Sequence, residues 1–424
     1  MRRASGARGS PRRALAGAFC LLALAALGPG TAGAQVSLGG LQSDLGHQLS
    51  LAGPADGAYV YDLTAKQPLF SVRATNLRPP ASVEKLYTAT TALERMGAGG
   101  RLSTSVYGAG TLAGNGTWEG NLYLKGGGDP TFGTSAFIAR HYGGVGASVS
   151  TLVQQLAQAG IRRVSGSVLG DESWFDSLRG EPSSGYAWDP FLEGTLSGLA
   201  FNRGESGSEK GAHGPAAYAA RKLAAALRAA GVQVSGHSGA GSTPAGATRL
   251  ASVSSPTVSQ LLDLMLPPSD NFFAETLVKD LGALYGGAGT TAAGAGVVSS
   301  TIAGLLGIHP RVVDGSGLSE ADKTSPYEVA DLLVELAPTP IGAILRRSLA
   351  VAGHTGTLAE RMRGTIASGH CQGKTGTLTG VSNLVGYCQA ADGHTLAFAI
   401  FTDAIATEAA HVFQDHMTIT IADY

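Results

Sequence analysis

The chain has 424 residues, with 30 Lys and Arg against 31 Asp and Glu and a formal net charge of -1. That balance leaves no basic stripe and argues against a nucleic-acid partner. Only 14% of residues are charged, against about 25% in an average protein, and the length allows one large domain or two to three ordinary ones.

The chain opens on a basic head of Arg2, Arg3, Arg8, Arg12 and Arg13, followed by an apolar run over 14–27 and a small-x-small site at Ala32-Gly33-Ala34. The run is too short for a comfortable membrane span, so the pattern predicts an export signal over 1–34 and a mature chain from Gln35. The expected location is the periplasm or the cell-wall side of the cytoplasmic membrane, or the medium. Phe19 before Cys20 does not fit a lipoprotein processing site, and no later stretch has the length of a transmembrane helix.

Residues 43–51 read as a short helix, and 58–63 with 68–72 as a hairpin around 64–67. Pro79 and Pro80 open a helix over 86–96 that Gly97 closes. From about Gly99 the character changes. Residues 102–107 and 121–125 alternate as strands around Gly114-Asn115-Gly116, and Gly126-Gly127-Gly128-Asp129-Pro130 is a sharp break. No Lys-Ser or Lys-Thr follows those glycines, so they read as a turn and not a phosphate loop.

A capped helix over 150–159 ends at Gly160. A strand over 164–169 leads into Gly170-Asp171-Glu172-Ser173-Trp174-Phe175-Asp176, read as a surface turn anchored by Trp174 and Phe175. The stretch 203–214 is polar, a loop or trimmed insertion, 215–230 is a helix, and 236–246 is a flexible return toward the first domain. Helices follow over 256–266, 272–284 and 324–336. The end is a sheet of strands over 372–378, 382–388 and 395–402, then a terminal helix over 407–419. Cys371 and Cys388 flank a hairpin turning near Thr379-Gly380, which sets them opposite one another and predicts a disulfide.

Ser82 and Lys85 fall one turn apart on one face at the entrance of the 86–96 helix. A serine is a poor nucleophile until a base takes its proton, and a lysine three residues on can reach it. Free N–H groups at a helix start also favour negative charge developing there. Alone, Ser-x-x-Lys equally describes an N-cap serine beside a solvated lysine. Two further motifs follow in order, Ser269-Asp270-Asn271 and Lys374-Thr375-Gly376-Thr377. The ordered set marks penicillin-binding proteins and class A β-lactamases. The interval between the first two motifs has room for an inserted domain. Histidines are scattered, no HExxH occurs, and 369–375 lacks P-loop spacing, so neither a metal nor another cofactor is expected.

Four more stretches carry a resemblance: 120–130, 170–176, Asp314-Gly315-Ser316-Gly317-Leu318 and His354-Thr355-Gly356-Thr357-Leu358. With the motifs, they make the chain resemble the D-alanyl-D-alanine carboxypeptidase/endopeptidases. These are low-molecular-mass penicillin-binding proteins with a large insertion between the first and second motifs. The likeness covers most of the mature chain. It fails over 202–215, which looks trimmed and leaves the number of accessory subdomains open. The resemblance implies a mixed α/β fold, with a penicillin-binding-protein/serine β-lactamase-like core whose antiparallel sheet is flanked by helices. That core takes 35–98 and 247–424, and an inserted mixed α/β accessory domain takes 99–246.

The implied activity is serine-type hydrolysis of the D-Ala-D-Ala end of peptidoglycan stem peptides, or of D-Ala cross-links, with β-lactams as covalent inhibitors. In that scheme Ser82 is the nucleophile, Lys85 its base, and Ser269 a proton relay to the leaving amine. Asn271 holds a substrate amide and orients Lys85. Lys374, Thr375 and Thr377 receive the substrate carboxylate, and Gly376 lets the substrate strand lie close to the sheet edge. The backbone N–H groups of Ser82 and Thr377 form the oxyanion hole.

Two other readings compete. A serine β-lactamase needs fast deacylation, which in class A uses a glutamate after the second motif. Glu275, Glu320, Glu328, Glu335 and Glu360 lie in that interval, none in a Glu-x-x-Leu-Asn context. A non-catalytic cell-wall-binding relative would not be expected to keep all three motifs intact.

Overall fold

The computed structural model describes residues 36–205 and 214–424; the export signal expected over 1–34 and residues 206–213 of the polar stretch lie outside them. Six strands form one sheet in the order Ala350–Val351, Cys371–Leu378, Val381–Gln389, Thr395–Asp403, Gly57–Asp62, Gln67–Val72. Every neighbouring pair is antiparallel. Alternate side chains leave the two sheet faces, and both faces are covered. Val60, Phe398 and Ile400 pack against Leu41, Leu45 and Leu49 of helix Leu38–Ala52 and Met417 and Ile421 of helix Thr407–Asp423. On the other face, Val385, Tyr387, Ala399 and Phe401 join a cluster with Leu86, Leu93, Phe273, Leu277, Val329 and Leu333. Fully burying one such Leu or Phe is worth about 2 kcal/mol. The expected antiparallel sheet with helices on both faces is what forms.

A second, seven-stranded sheet holds Ser103–Leu112 between Thr117–Lys125 and Thr248–Ser254, both antiparallel to it. The short strands Arg163–Val164 and Val168–Asp171 run parallel to Thr117–Lys125. This mixed sheet has its own apolar cluster, built with Leu152, Leu156, Leu223 and Leu227 of helices Val149–Gln158 and Pro215–Ala229.

Several expectations need correction. The strand expected over 164–169 is two pieces, Arg163–Val164 and Val168–Asp171, with Gly166 between them donating its N–H to Gly120 O at 3.2 Å. Helices Ser135–Tyr142, Thr291–Leu306 and Pro340–Arg347 and the strand Thr248–Ser254 were not anticipated. Thr291–Leu306 reads TAAGAGVVSSTIAGLL, which shows no polar face to betray a helical period. Its small residues serve close packing instead: a Cβ at Gly294 would lie 1.8 Å from Val278 O of helix Asn271–Tyr285. Cys371 and Cys388 are a register pair and are bonded as the hairpin predicts. Among the described residues no helix is long and apolar enough to cross a membrane.

Candidate active site

Pro79 and Pro80 deliver the chain into a tight 3₁₀ turn, Ala81–Glu84, that continues as the α-helix Lys85–Met96 and stops at Gly97 (φ 77°). The serine therefore sits in the 3₁₀ turn and not in the helix proper. A 3₁₀ turn eclipses residues three apart, which stacks Lys85 under Ser82. Ala81 enters the turn with φ 48°. Asn383 secures the entry by donating its amide to Pro79 O and Pro80 O at 3.0 and 2.9 Å.

Lys85 is fully buried beneath the half-buried Ser82. Its Nζ lies 2.8 Å from Ser82 Oγ, 2.6 Å from Asn271 Oδ1 and 2.8 Å from Ser316 O. Burial lowers its pKa to about 8, against the pull of the Asp314, Glu275, Asp270 and Glu84 carboxyls. Ser269 stands in the left-handed region, φ 65°, at the end of helix Val258–Met265 and its following turn. Its Oγ lies 2.8 Å from Lys374 Nζ, which also donates to Thr375 O at 2.8 Å. Lys374 is fully buried on strand Cys371–Leu378, and burial with the nearby Lys85 charge pushes its pKa well down.

The three motifs thus meet. Ser82, Lys85 and Asn271 form one connected group, and Ser269 and Lys374 form a second one beside it. Thr375 Oγ1 pairs with Thr357 Oγ1 of the 354–358 stretch at 2.8 Å. Thr377 is exposed on the same strand. Gly376 does more inside the protein than its sequence reading allowed. A Cβ there would lie 2.4 Å from Pro80 O, so the glycine lets the Ser82 turn seat on the strand.

Sequence reasoning missed the residues behind and around this group. Glu275 Oε1 accepts the N–H groups of Gly315 and Ser316 at 2.9 and 2.8 Å, and Asp314 accepts those of Ser316 and Gly317 at 3.0 and 2.6 Å. They shape the loop that presents Ser316 O to Lys85. Asn271 Nδ2 donates to Phe191 O at 2.8 Å, which brings Phe191, 71% exposed, to the rim. The Asp314-Gly-Ser-Gly spacing was the one available signal for this loop. Among the described residues no three His, Cys, Asp or Glu stand where they could hold a metal ion.

Comparison with known proteins matches the chain to the D-Ala-D-Ala carboxypeptidase 3 (S13) family over residues 41–191 and 202–424. The chain belongs to the S13 family. It is a serine-type D-Ala-D-Ala peptidase. Among S13-like relatives, a D-alanyl-D-alanine carboxypeptidase of Actinomadura sp. (strain R39) is 31% identical, over 100% of this chain and 92% of the relative. A carboxypeptidase of Mycobacterium tuberculosis is 28% identical over 76% of this chain and 71% of its own length. Among solved structures, penicillin binding protein 4 of Haemophilus influenzae has a TM-score of 0.72 at 20% identity, covering 89% of this chain and 98% of that one. A β-lactam complex of the same protein has a TM-score of 0.66, again at 20% identity and with 89% and 98% covered.

Proposed function

We propose that Ser82 is the nucleophile that cleaves the terminal D-Ala-D-Ala bond of peptidoglycan stem peptides, with Lys85 as its base. The observation that carries this reading is the pair of buried amines, each 2.8 Å from a serine hydroxyl, Lys85 at Ser82 and Lys374 at Ser269. An amine whose pKa lies near 8 is neutral in a useful fraction of molecules at neutral pH.

Ser82 Oγ attacks the carbonyl carbon of the penultimate D-alanine as its proton passes to Lys85 Nζ. Negative charge collects on the carbonyl oxygen, toward the N–H groups of Ser82 and Thr377. One such donor is worth about 3 kcal/mol in other enzymes. The C–N bond breaks as the proton that Lys85 took from Ser82 is passed by way of Ser269 to the departing amine. Water then adds to the ester, and Ser82 recovers its proton. Lys374 is buried without a protein carboxylate among the influences on it; a substrate carboxylate supplies that counter-charge, with Thr375 and Thr377 as hydroxyl donors. Asn271 holds Lys85 through Oδ1.

Penicillins acylate the same serine in this reading, which the β-lactam held by a structural relative supports. Glu275 is fully buried with Oε1 bonded to the backbone of the 314–317 loop, an arrangement that gives no support for its use as a lactamase deacylating base. We also read the chain as exported, with 35–98 and 247–424 as the catalytic part and 99–246 as the accessory part. The apolar cluster of the second sheet favours that division, although Leu102, Ile138, Tyr142, Leu192, Leu196 and Ala200 join the cluster of the catalytic part and Thr248–Ser254 pairs with the accessory sheet.

The test is labelling by a fluorescent penicillin alongside D-alanine release from a diacyl peptide ending in D-Ala-D-Ala. Wild type should do both and Ser82→Ala neither. A Ser82→Ala protein that still labels or still releases D-alanine would remove the assignment. Rapid penicillin turnover, in place of a long-lived acyl-enzyme, would favour the lactamase.

A further inference from the structure

Four fully buried carboxyl side chains cluster near Lys85: Glu84, Glu275 and Asp314 act on the amine directly, and Asp322 stands against Asp314 and Glu84. Three of them receive backbone N–H groups. Glu275 takes Gly315 and Ser316; Asp314 takes Ser316, Gly317 and Ser319; Asp322 takes Val313. Glu84 is different, because neither of its oxygens has any partner. It directly precedes the lysine, and its Cβ is 3.0 Å from where a side chain at Gly317 would begin.

Four ionised carboxylates against one ammonium would leave unpaired charge in a dry interior, which is strongly unfavourable. Protons must stay on part of the cluster. Glu84 has no N–H to stabilise its anion, so it is the group best suited to keep one. The titratable groups facing it are Lys85 and Tyr87 from its own segment, Glu275 from helix Asn271–Tyr285, and Asp314 and Asp322 from the loop. Burial and the neighbouring carboxyls act together to raise its pKa, opposed only by Lys85.

We propose that Glu84 is a positioning residue acting through Lys85: it holds a proton in the free enzyme, and its ionisation competes with that of the amine. The inference rests on Lys85 being the base of Ser82. A neutral Glu84 leaves desolvation free to make the amine basic without being cationic. An ionised Glu84 would hold the proton on Lys85 and silence it. The two groups therefore titrate as one coupled pair. One proton lost from the pair leaves either neutral Lys85 beside neutral Glu84, which is active, or ammonium beside carboxylate, which is not.

The experiment is the second-order rate of acylation by a chromogenic penicillin against pH, for wild type, Glu84→Gln, Glu84→Leu and Glu84→Asp. At the acid end of the profile wild type and both neutral variants should acylate at similar rates, because burial and the neighbouring carboxyls favour the protonated form of Glu84. At alkaline pH the neutral variants should run ahead, by a few-fold up to about tenfold, because the Glu84 carboxylate no longer returns the proton to Lys85. Glu84→Asp should keep the wild-type profile shape.

A neutral variant already much faster at the acid end would show Glu84 to be ionised there and overturn the proposal. A uniform loss at all pH values, or profiles that superimpose throughout, would overturn it too. So would failure of both neutral variants to fold while Glu84→Asp folds. Wild type with no rising limb at all would instead remove Lys85 as base, which separates that failure from this one.

Discussion

Arg203 holds both carboxylate oxygens of Asp270, at 2.5 and 3.0 Å, and so ties the interval between the first two motifs to the second. Asp270 also caps helix Asn271–Tyr285 by accepting Phe273 N–H at 3.0 Å. Its neighbours Ser269 and Asn271 face the two lysines. Ser269 is left-handed, a conformation that costs about 1–3 kcal/mol and survives only where the surroundings over-determine it. Arg203 is stacked 4.8 Å from the Phe272 ring and is mostly buried. Removing one partner of such a pair leaves a buried charge and costs about 3 kcal/mol or more. Arg203→Met is expected to lower stability by that order and slow acylation about tenfold or more, since small misplacements in a site are expensive. Asp270→Asn keeps a cap acceptor and should lose less. Thermal denaturation and penicillin-acylation rates measure both, and an Arg203→Met protein with wild-type values would refute the clamp.

Stability should fall as pH rises from mildly acid to mildly alkaline. Burial raises the pKa of Asp129 to about 6 and of Glu275 to about 8, and holds Asp280 well above its ordinary value. The folded state therefore binds protons that the unfolded chain has released. That contribution is full below the ordinary carboxyl range and is lost as pH climbs through each raised value. Lys85 acts in the opposite sense, because its pKa is lowered from 10.5 to about 8, so it favours folding only as pH rises through that window. A melting temperature that falls from pH 5 to pH 8 is the expected outcome. A melting temperature that climbs across that interval would show these carboxyls to be ionised in the folded protein.

Ser82, Lys85 and the two downstream motifs are legible in the sequence because each is a short local pattern. A hydroxyl and an amine three residues apart are neighbours in any helical turn. The carboxyl cluster is not legible, because Glu84, Glu275, Asp314 and Asp322 become neighbours only through tertiary packing. Asn383 is hidden for a similar reason: it lies opposite Gly376 only through the register of the hairpin. The sheet and terminal helix follow from clear alternation and length. Thr291–Leu306 does not, since small and apolar residues all round leave no period to detect.

The disulfide braces the strand that carries Lys374. Cys371 and Cys388 are bonded with a sequence separation of 17, and Lys374 follows on the same strand. Closing a loop of that order contributes about 3 kcal/mol by limiting the unfolded chain. The double replacement Cys371→Ala with Cys388→Ala should lose about that much stability yet keep penicillin acylation at low temperature, because strand pairing still fixes Lys374. Alkylation of unfolded, unreduced protein should modify neither cysteine. Two modified thiols would refute the bond.

Gly376 and Asn383 control how far the Ser82 turn stands from the strand, and their substitution separates packing from substrate contact. They are register partners, and both meet the Pro79-Pro80 carbonyls. A methyl at Gly376 would sit 2.4 Å from Pro80 O, so either the turn or the strand must move. Asn383→Ala removes two donors and leaves both proline carbonyls without them, a cost of about 1–3 kcal/mol for a buried group. Both changes should displace Ser82 relative to Lys374, and a shift near 1 Å can cost about a hundredfold in rate. If the glycine serves this internal seat, Gly376→Ala will lower the acylation rate for a small penicillin about as much as for a full stem peptide. If it serves only to admit the substrate strand, the small penicillin will be spared and the peptide alone will suffer. Comparing the two substrates on one protein decides between them, and a selective loss on the peptide would refute the seating role.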